Sequence, residues 1–538
     1  MGATRARWLP ALLVFGVPLA ALALGHAPWR AVQMAWLLSP AWVLWCWPLS
    51  RGRGLRAWAV GLWLSSFVLD AWLRAYLLRF YGAAPDSSVV LTAVANATGE
   101  ETAEYLRAHA WQAGPWLLGA LGSVAAVVLG LRGTPPVAPQ SRTWLVALLV
   151  LALLPVTLKP SRRWLPTVFW AHWAAEVAGL QGDWQRLEGA REAWHRHALS
   201  TVQVTRDGPA TVVVVLTDSV NRDNLQLYGY PRATTPTLLA QQVRWGAQWA
   251  RVQEAWSTEA STVPALEAMW RTGSQGEQHL LALARAAGYK VWWVSNHDDL
   301  AVKNQHGRMA DELRLLNRVP GRSTRALDDV VLPALDAALA DPSPRKLVVL
   351  HLLGAHQHYH LRFPVGQGLF DESDDAVNCQ LRAWRRPAWL RAQRDDYDAA
   401  VRFHEGVVAA SLEATARAAG ASGRATWLYV SDHGQEVGHT TNHAGHSPGT
   451  ASGYRIPLLL WRSADQGPWP NGLGERPFRS DWWAPLMADV LGLAWRGRVG
   501  AQSLLSADYL WQPPPKWDDW ARTAPSPWTP ACQVAVGP

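Results

Sequence analysis

Apolar residues crowd the first third of the chain and then break into short blocks separated by polar turns. Five stretches, residues 8–24, 31–49, 55–78, 115–131 and 144–158, carry few or no charges and are flanked by Trp and Arg. A helix needs about 20 mostly apolar residues to cross a bilayer, and Trp and Arg are favoured at the interfaces. The pattern predicts five transmembrane helices. Five such runs in succession go beyond what one cleaved signal peptide explains. Arg5 and Arg7, Arg51, Arg53 and Arg56, and Arg132 and Arg142 all fall on one side of this arrangement, which the positive-inside rule makes cytoplasmic. An odd number of spans then places everything after residue 160 outside. Lys159, Arg162 and Arg163 lie on that outer side and go against the rule locally. The expected division is a transmembrane domain over residues 1–160 with an external loop at 80–114, interfacial helices and linker over 161–207, and a globular domain over 208–538.

From about residue 208 the period changes. Residues 211–216 form a continuous apolar, β-branched run between turn signals, as a strand buried on both faces does. Similar runs recur at 290–294, 346–352, 426–430 and 456–461, with helix-period stretches at 277–287, 327–340 and 397–419. Strands alternating with helices predict an α/β domain with a largely parallel sheet covered by helices on both faces. In such sheets ligands bind beyond the carboxyl ends of the strands.

Composition sharpens this picture. Of 538 residues, 49% are hydrophobic and 17% charged, with 35 Trp. That excludes a disordered, solvating chain and leaves much surface facing something other than water. The net charge of +8 is carried almost wholly by scattered Arg. With no basic arm or helix, it favours a membrane or a phosphate over nucleic acid. Three cysteines without a CxxC pair exclude a zinc ribbon or a thioredoxin-type motif. Cys46 lies in an apolar run; Cys379 and Cys532 are the one pair in the remainder that can form a disulfide.

The polar residues at the expected strand ends are carboxylates and imidazoles. Asp218 follows the first strand, His356 and His358 the third, and Asp432 and His433 the fourth; a loop with His439, His443 and His446 comes next. Converging on one sheet edge, such groups suit Zn²⁺. A lone Asp at a strand end more often caps a helix, so it is the combination that carries weight.

These segments resemble the alkaline phosphatase and sulfatase superfamily, and within it the membrane-bound phosphoethanolamine transferases. Thr217-Asp218-Ser219, with Asp223-Asn224 and Tyr228-Gly-Tyr-Pro-Arg232-Ala-Thr-Thr-Pro236, is similar to that family's first metal motif. His351-Leu-Leu-Gly-Ala-His356 with Arg362-Phe-Pro364, then Tyr397-Asp398, then Ser431-Asp-His-Gly-Gln-Glu436 with Gly445-His446 and Ile456-Pro457 follow in family order. Aligned on this resemblance, Thr262 is the nucleophile, with Thr258 and Ser261 as alternatives. Asp218, Thr262, Asp432 and His433 hold zinc, one ion or two, the second recruiting His439 or His443. His356 and His446 bind the phosphoryl group or move protons, and His443 can stand in for His446. Thr92, Asn96 and Glu100, in the external loop, line the lipid headgroup. Asp218 replaces the family's more usual Glu, and the cysteines that staple many lipid A transferases are absent around Thr262, which favours a low-disulfide branch.

The resemblance implies an enzyme of the bacterial inner membrane, multi-pass and monomeric, with its catalytic domain in the periplasm. It would transfer phosphoethanolamine from phosphatidylethanolamine to an envelope glycan or glycolipid, lipid A or lipopolysaccharide core first, through a covalent intermediate on Thr262. Alternatives are a membrane-anchored phosphodiesterase or sulfatase-like hydrolase, a glycerol-phosphate transferase and, last, a non-catalytic scaffold. A sulfatase is disfavoured because Thr262 cannot mature to formylglycine as Cys or Ser does.

Overall fold

In the computed structural model the described residues are 8–47, 53–81, 83–87, 90, 91, 94, 99–133, 142–272, 278–297, 306–317, 325–370, 375–514 and 532. The chain divides into two compact units, Met1–Trp184 and Gln185–Pro538.

The first unit is helical. A π-helical turn at Leu12–Gly16 leads into α1 (Val17–Gly25), followed by α2 (Pro28–Trp45), α3 (Arg53–Tyr81), α4 (Gly99–Arg132), α5 (Arg142–Thr157) and the start of α6 (Pro166–Thr201). Over their described residues the five apolar runs are mainly helical. Among the described residues two helices are long and apolar enough to cross a membrane, Trp8–Gly25 and Ala113–Arg132, and Thr143–Thr157 is a shorter apolar one. The α2 and α3 segments fall outside that set; Arg30 and Gln33 in one, and Asp70 and Arg74 in the other, dilute their apolar content. Val14, Leu22, Leu38, Leu64, Phe67 and Val127 form the unit's own core. Many large apolar side chains face outward, among them Leu62, Leu118, Val128, Trp58 and Trp144. So many exposed large apolar side chains on one helical unit are uncommon on soluble proteins and point to contact with lipid or a partner.

The second unit is built on a seven-stranded sheet: β1 (Thr211–Thr217), β2 (Trp249–Val252), β3 (Lys290–Ser295), β4 (Glu312–Leu315), β5 (Lys346–Leu352), β6 (Ala425–Ser431) and β7 (Leu458–Arg462), in spatial order β2-β7-β6-β1-β5-β3-β4. Neighbours from β6 to β4 are parallel, whereas β7 runs against both β6 and β2. The sheet is thus mixed, and the run at 456–461 is its antiparallel member. All of β1 is buried. Val212, Val214 and Leu216 pack on one face with α8 (Thr262–Trp270) and α11 (Trp483–Leu491). Val213 and Val215 pack on the other with α9 (Leu332–Ala340) and α10 (Ala388–Ser422). This two-faced burial is why the strand reads as a continuous apolar run. The Trp- and Pro-rich stretch after residue 466 has a packing role: Trp469, Leu473, Phe478, Trp483 and Leu486 complete the first of these cores. Cys379 and Cys532 form a disulfide with Cα atoms 5.6 Å apart, and Cys46 is free.

Candidate active site

Four adjacent parallel strands bring the site together at their carboxyl ends. Thr217 of β1 pairs with Ser431 of β6, so the residues that follow, Asp218 and Asp432, emerge side by side. Asp432 N donates to the Thr217 carbonyl at 3.0 Å. On the other flank of β1, β5 ends in the turn carrying His356, and beyond it β3 ends in His297. Gly354 allows this crowding: it has φ +56°, and a Cβ there would come 2.6 Å from the Asp218 carbonyl oxygen.

Ser219 follows Asp218 with φ 63°, a left-handed conformation that costs a non-glycine residue energy. Three contacts hold it there. Its N–H donates to Asp432 Oδ1 at 3.2 Å. Its carbonyl accepts from the Tyr397 hydroxyl at 2.7 Å, and that hydroxyl accepts in turn from Asn221 N at 2.9 Å. The Ser219 hydroxyl donates to Asp218 Oδ1. Behind this loop lies a buried polar web. Asn224 Nδ2, Tyr230 OH and Arg232 Nη1 all donate to Asp398, at 2.8, 2.6 and 2.7 Å. Arg232 also pairs with Asp375 and Asp395, each at 2.7 Å. The Tyr-Asp motif and the segment from 375 to 395 therefore act as a brace for the Asp218 loop.

Thr262 opens α8 and is buried, with Oγ1 3.0 Å from Asp218 Oδ2 and 3.4 Å from His433 Nε2. Of the two alternative nucleophiles, Thr258 has its Oγ1 3.4 Å from Ser480 Oγ, and Ser261 caps α8 without a side-chain hydrogen bond to the helix. His433 Nε2 is 3.6 Å from both Asp218 Oδ1 and Asp432 Oδ2. Its Nδ1 lies 2.7 Å from the Gly434 carbonyl, which sets Nδ1 as the protonated nitrogen and leaves Nε2 a lone pair toward the carboxylates. The His446 ring is 4.7 Å from that of His433. Asp218, His433 and His446 each offer a ligand atom within 4.8 Å of the others.

Zinc fits this donor set. Carboxylate oxygens, imidazole nitrogens and a hydroxyl are the ligands it takes, and Asp432 Oδ2 is buried with no hydrogen-bond partner among the described residues, as an oxygen kept for a cation would be. Burial pushes the Asp432 carboxyl up to about 7, with Asp218 adding to the rise and His433 opposing it. Burial would raise Asp218 too, but His356, the hydrogen bond to His297, and His433 together hold it well below the usual carboxylate range. Positive charge placed beside this pair would therefore favour the ionised form of both carboxylates.

The imidazoles separate into groups. The buried His356 ring lies 6.3 Å from that of His446 and 6.0 Å from that of His297. His443 is exposed, with Nε2 3.1 Å from the His446 carbonyl. His439 has both ring nitrogens engaged, one accepting from Val437 N at 3.2 Å and one 2.8 Å from Asn224 Oδ1, so the structure uses it to tie loops together. Thr92 and Asn96 lie outside the described residues, as does the side chain of Glu100, whose backbone is helical in α4.

Sequence reasoning missed His297. Its Nε2 is 2.7 Å from Asp218 Oδ2, and its ring stacks on His351 at 4.4 Å between centroids. The signal was present: Ser295-Asn296-His297 stands just past a strand, where polar residues are informative. Asp328 was missed as well. Its carboxylate accepts from Leu353 N at 3.0 Å, Gly354 N at 2.8 Å and Asn296 Nδ2 at 2.9 Å, pinning the loops of His356 and His297 to each other.

The sulfatase family model matches residues 210–493. The chain is 30% identical over 320 residues to the phosphoethanolamine transferase EptC of Escherichia coli (strain K12), covering 56% of this chain and 54% of that protein. It is 28% identical over 322 residues to the phosphoethanolamine transferase CptA of Salmonella typhimurium, with the same coverage of 56% and 54%. The chain spans about half the length of these curated relatives. Among solved structures, the C-terminal periplasmic domain of EptC from Escherichia coli, crystallised in complex with Zn, superposes with a TM-score of 0.52 at 26% identity, over 58% of this chain and 90% of that one.

Proposed function

We infer that this chain, which belongs to the sulfatase family, is a membrane-bound phosphoethanolamine transferase that uses phosphatidylethanolamine as donor and an envelope glycan or glycolipid as acceptor. The observation that carries this reading is Thr262: a buried hydroxyl at a helix start, 3.0 Å from one carboxylate and 3.4 Å from an imidazole. Likeness to two named phosphoethanolamine transferases supports the choice of group transferred.

Asp218, Asp432, His433 and Thr262 would hold zinc, with His446 beside them. When bound there, zinc supplies the Lewis acidity that makes a hydroxyl nucleophilic near neutral pH. The Thr262 oxygen attacks the donor's phosphorus; the new O–P bond forms as the O–P bond to diacylglycerol breaks, leaving phosphoethanolamine on Thr262. The first N–H groups of α8 and its dipole favour the phosphoryl anion at that place. His356 and His446 hold its oxygens and pass the Thr262 proton to the departing diacylglycerol oxygen. An acceptor hydroxyl or phosphate then attacks the same phosphorus as the Thr262 O–P bond breaks, and the proton released by the acceptor hydroxyl, or one from water for a phosphate acceptor, returns to Thr262.

The first unit brings the lipid to this chemistry. Five spans, with the catalytic unit in the periplasm of the inner membrane, account for the outward-facing Leu, Val and Trp side chains and would leave Arg5, Arg7, Arg51, Arg53, Arg56, Arg132 and Arg142 on the cytoplasmic side, in keeping with the positive-inside rule. Detergent-solubilised full chain, given phosphatidylethanolamine and zinc, is expected to release diacylglycerol and to stop when the metal is chelated. Release that survives complete chelation contradicts the assigned ligand set.

A further inference from the structure

The first unit carries a polar cluster of its own, made from three separate segments. Asp70 and Arg74 are buried one turn apart near the end of α3, with Arg74 Nε 2.9 and 3.0 Å from the two carboxylate oxygens. Trp170 Nε1 donates to Asp70 at 3.0 Å, and His26 Nε2 lies 3.4 Å from it. Arg74 also sits 4.1 Å above the Phe169 ring. This ion pair is satisfied internally; it fastens the α1–α2 turn and the start of α6 to α3.

Beside it stand two cations of a different kind. The Arg30 guanidinium lies against two indoles, 4.1 Å from the Trp29 ring centroid and 3.6 Å from that of Trp164. Arg163 is 5.2 Å from the same Trp164 ring. Neither has a carboxylate within 4.0 Å among the described residues. Arg30 gives one hydrogen bond to Gln33 Oε1 at 2.9 Å; Asp86 acts on it through space but is the partner of Arg74, at 3.9 Å. With two indoles packed against it and one donor given to Gln33, Arg30 keeps further N–H donors in its guanidinium fork, which suits a phosphate. Trp29 is 52% exposed and Arg163 is exposed, so the place is open to a ligand. In the orientation proposed above, Arg30 and Arg163 both lie on the outer side, where cations are disfavoured unless something anionic meets them. A lipid phosphate supplies that charge, and exposed Trp side chains suit headgroup depth.

We propose that Arg30 and Arg163, framed by Trp29 and Trp164, form a binding site for the phosphodiester of phosphatidylethanolamine in the outer leaflet, where the donor is held before transfer. Naming the donor rests on the transferase reading.

The test is native mass spectrometry of the full chain in mixed detergent–phosphatidylethanolamine micelles. The parent and Thr262→Ala proteins are expected to retain one lipid. The Arg30→Gln/Arg163→Gln variant should bind it on the order of tenfold or more weakly, as loss of charge-assisted phosphate contacts implies, with unchanged thermal melting. If that double variant does not fold, Arg163→Gln, at an exposed position, reads the same loss at smaller size. Arg56→Gln, at the opposite end of α3, should leave retention unchanged. Equal retention in parent and variant, or none in the parent, overturns the site. Displacement of the lipid by millimolar inorganic phosphate also overturns it, by showing a bare anion site. Retention needs no turnover, so the two readings fail separately: lipid held without diacylglycerol release leaves the site standing and removes the transferase, and release without retention does the reverse.

Discussion

Asp218 accepts hydrogen bonds from Thr262, Ser219 and His297, and its neighbours are legible in the sequence to very different degrees. Thr262, Asp432 and His433 come out of motifs with fixed local spacing. His297 does not, because its tie to Asp218 spans 79 residues and depends on β3 and β1 lying either side of β5. No local pattern carries that information. As the hydrogen-bond partner of the carboxylate proposed to hold zinc, His297 orients it and, after His356, helps keep it ionised. Such partners typically matter by about 10–100-fold in metal affinity or activity. His297→Ala is therefore expected to lower transfer by that factor and to raise the zinc concentration needed for half-maximal rate, measured by titration of stripped protein. A loss of rate with unchanged zinc dependence would assign His297 to the phosphoryl group instead.

At the scale of elements, the five central apolar runs were readable because strands buried on both faces have no polar alternation to obscure them. Edge strands β2 and β4 were not. Trp249–Val252 and Glu312–Leu315 are four residues each, interrupted by Arg and Glu, and short, charged edges are how sheets avoid further pairing. The direction of β7 was also hidden, since a strand's own sequence does not say which way its neighbour runs. Next to β3 lies another feature that only packing reveals: His279 and His306, buried with Nε2 and Nδ1 3.1 Å apart. His279 Nδ1 accepts from Leu281 N at 3.2 Å, so its Nε2 carries the proton and donates to His306. Burial first, then the charge of Arg271, lowers His279 from 6.5 to about 3, and burial lowers His306 well below its ordinary value. A histidine whose folded pKa is depressed binds its proton more readily when unfolded. Its stabilising share is complete above about pH 6.5 and is lost as pH falls toward 3. Chemical denaturation at pH 7 and pH 5 should show this loss in the parent. His279→Gln/His306→Gln, compared with itself at the same two values, should lose less. An equal pH dependence in both would place the acid sensitivity elsewhere.

For the molecule as a whole, the apolar surface of the first unit matters most. Trp29, Trp36, Trp58 and Trp144 are more than half exposed, and Leu55, Leu62, Leu117 and Leu118 likewise. In water such a surface would drive association; in a bilayer it is the expected exterior. Nanodiscs made with lipids brominated on their acyl chains should quench a substantial part of the tryptophan emission, and Trp58→Phe/Trp144→Phe should reduce the quenched fraction. Emission unaffected by the brominated lipids would mean that this surface is covered by protein. The amount of Trp and the sparse charge anticipated this exterior in the sequence. What the sequence did not reveal is that the stretch after residue 466 is part of the second unit's core, because its Pro-broken pattern has no regular period to read.

Whether Thr262 carries the transferred group can be read from intact mass. Zinc-loaded full chain incubated with phosphatidylethanolamine, without acceptor, should gain the mass of one phosphoethanolamine group, with diacylglycerol released in step, and Thr262→Ala should gain nothing. An adduct that persists in Thr262→Ala, or lipid turnover in the parent with no adduct at any time, would contradict the account.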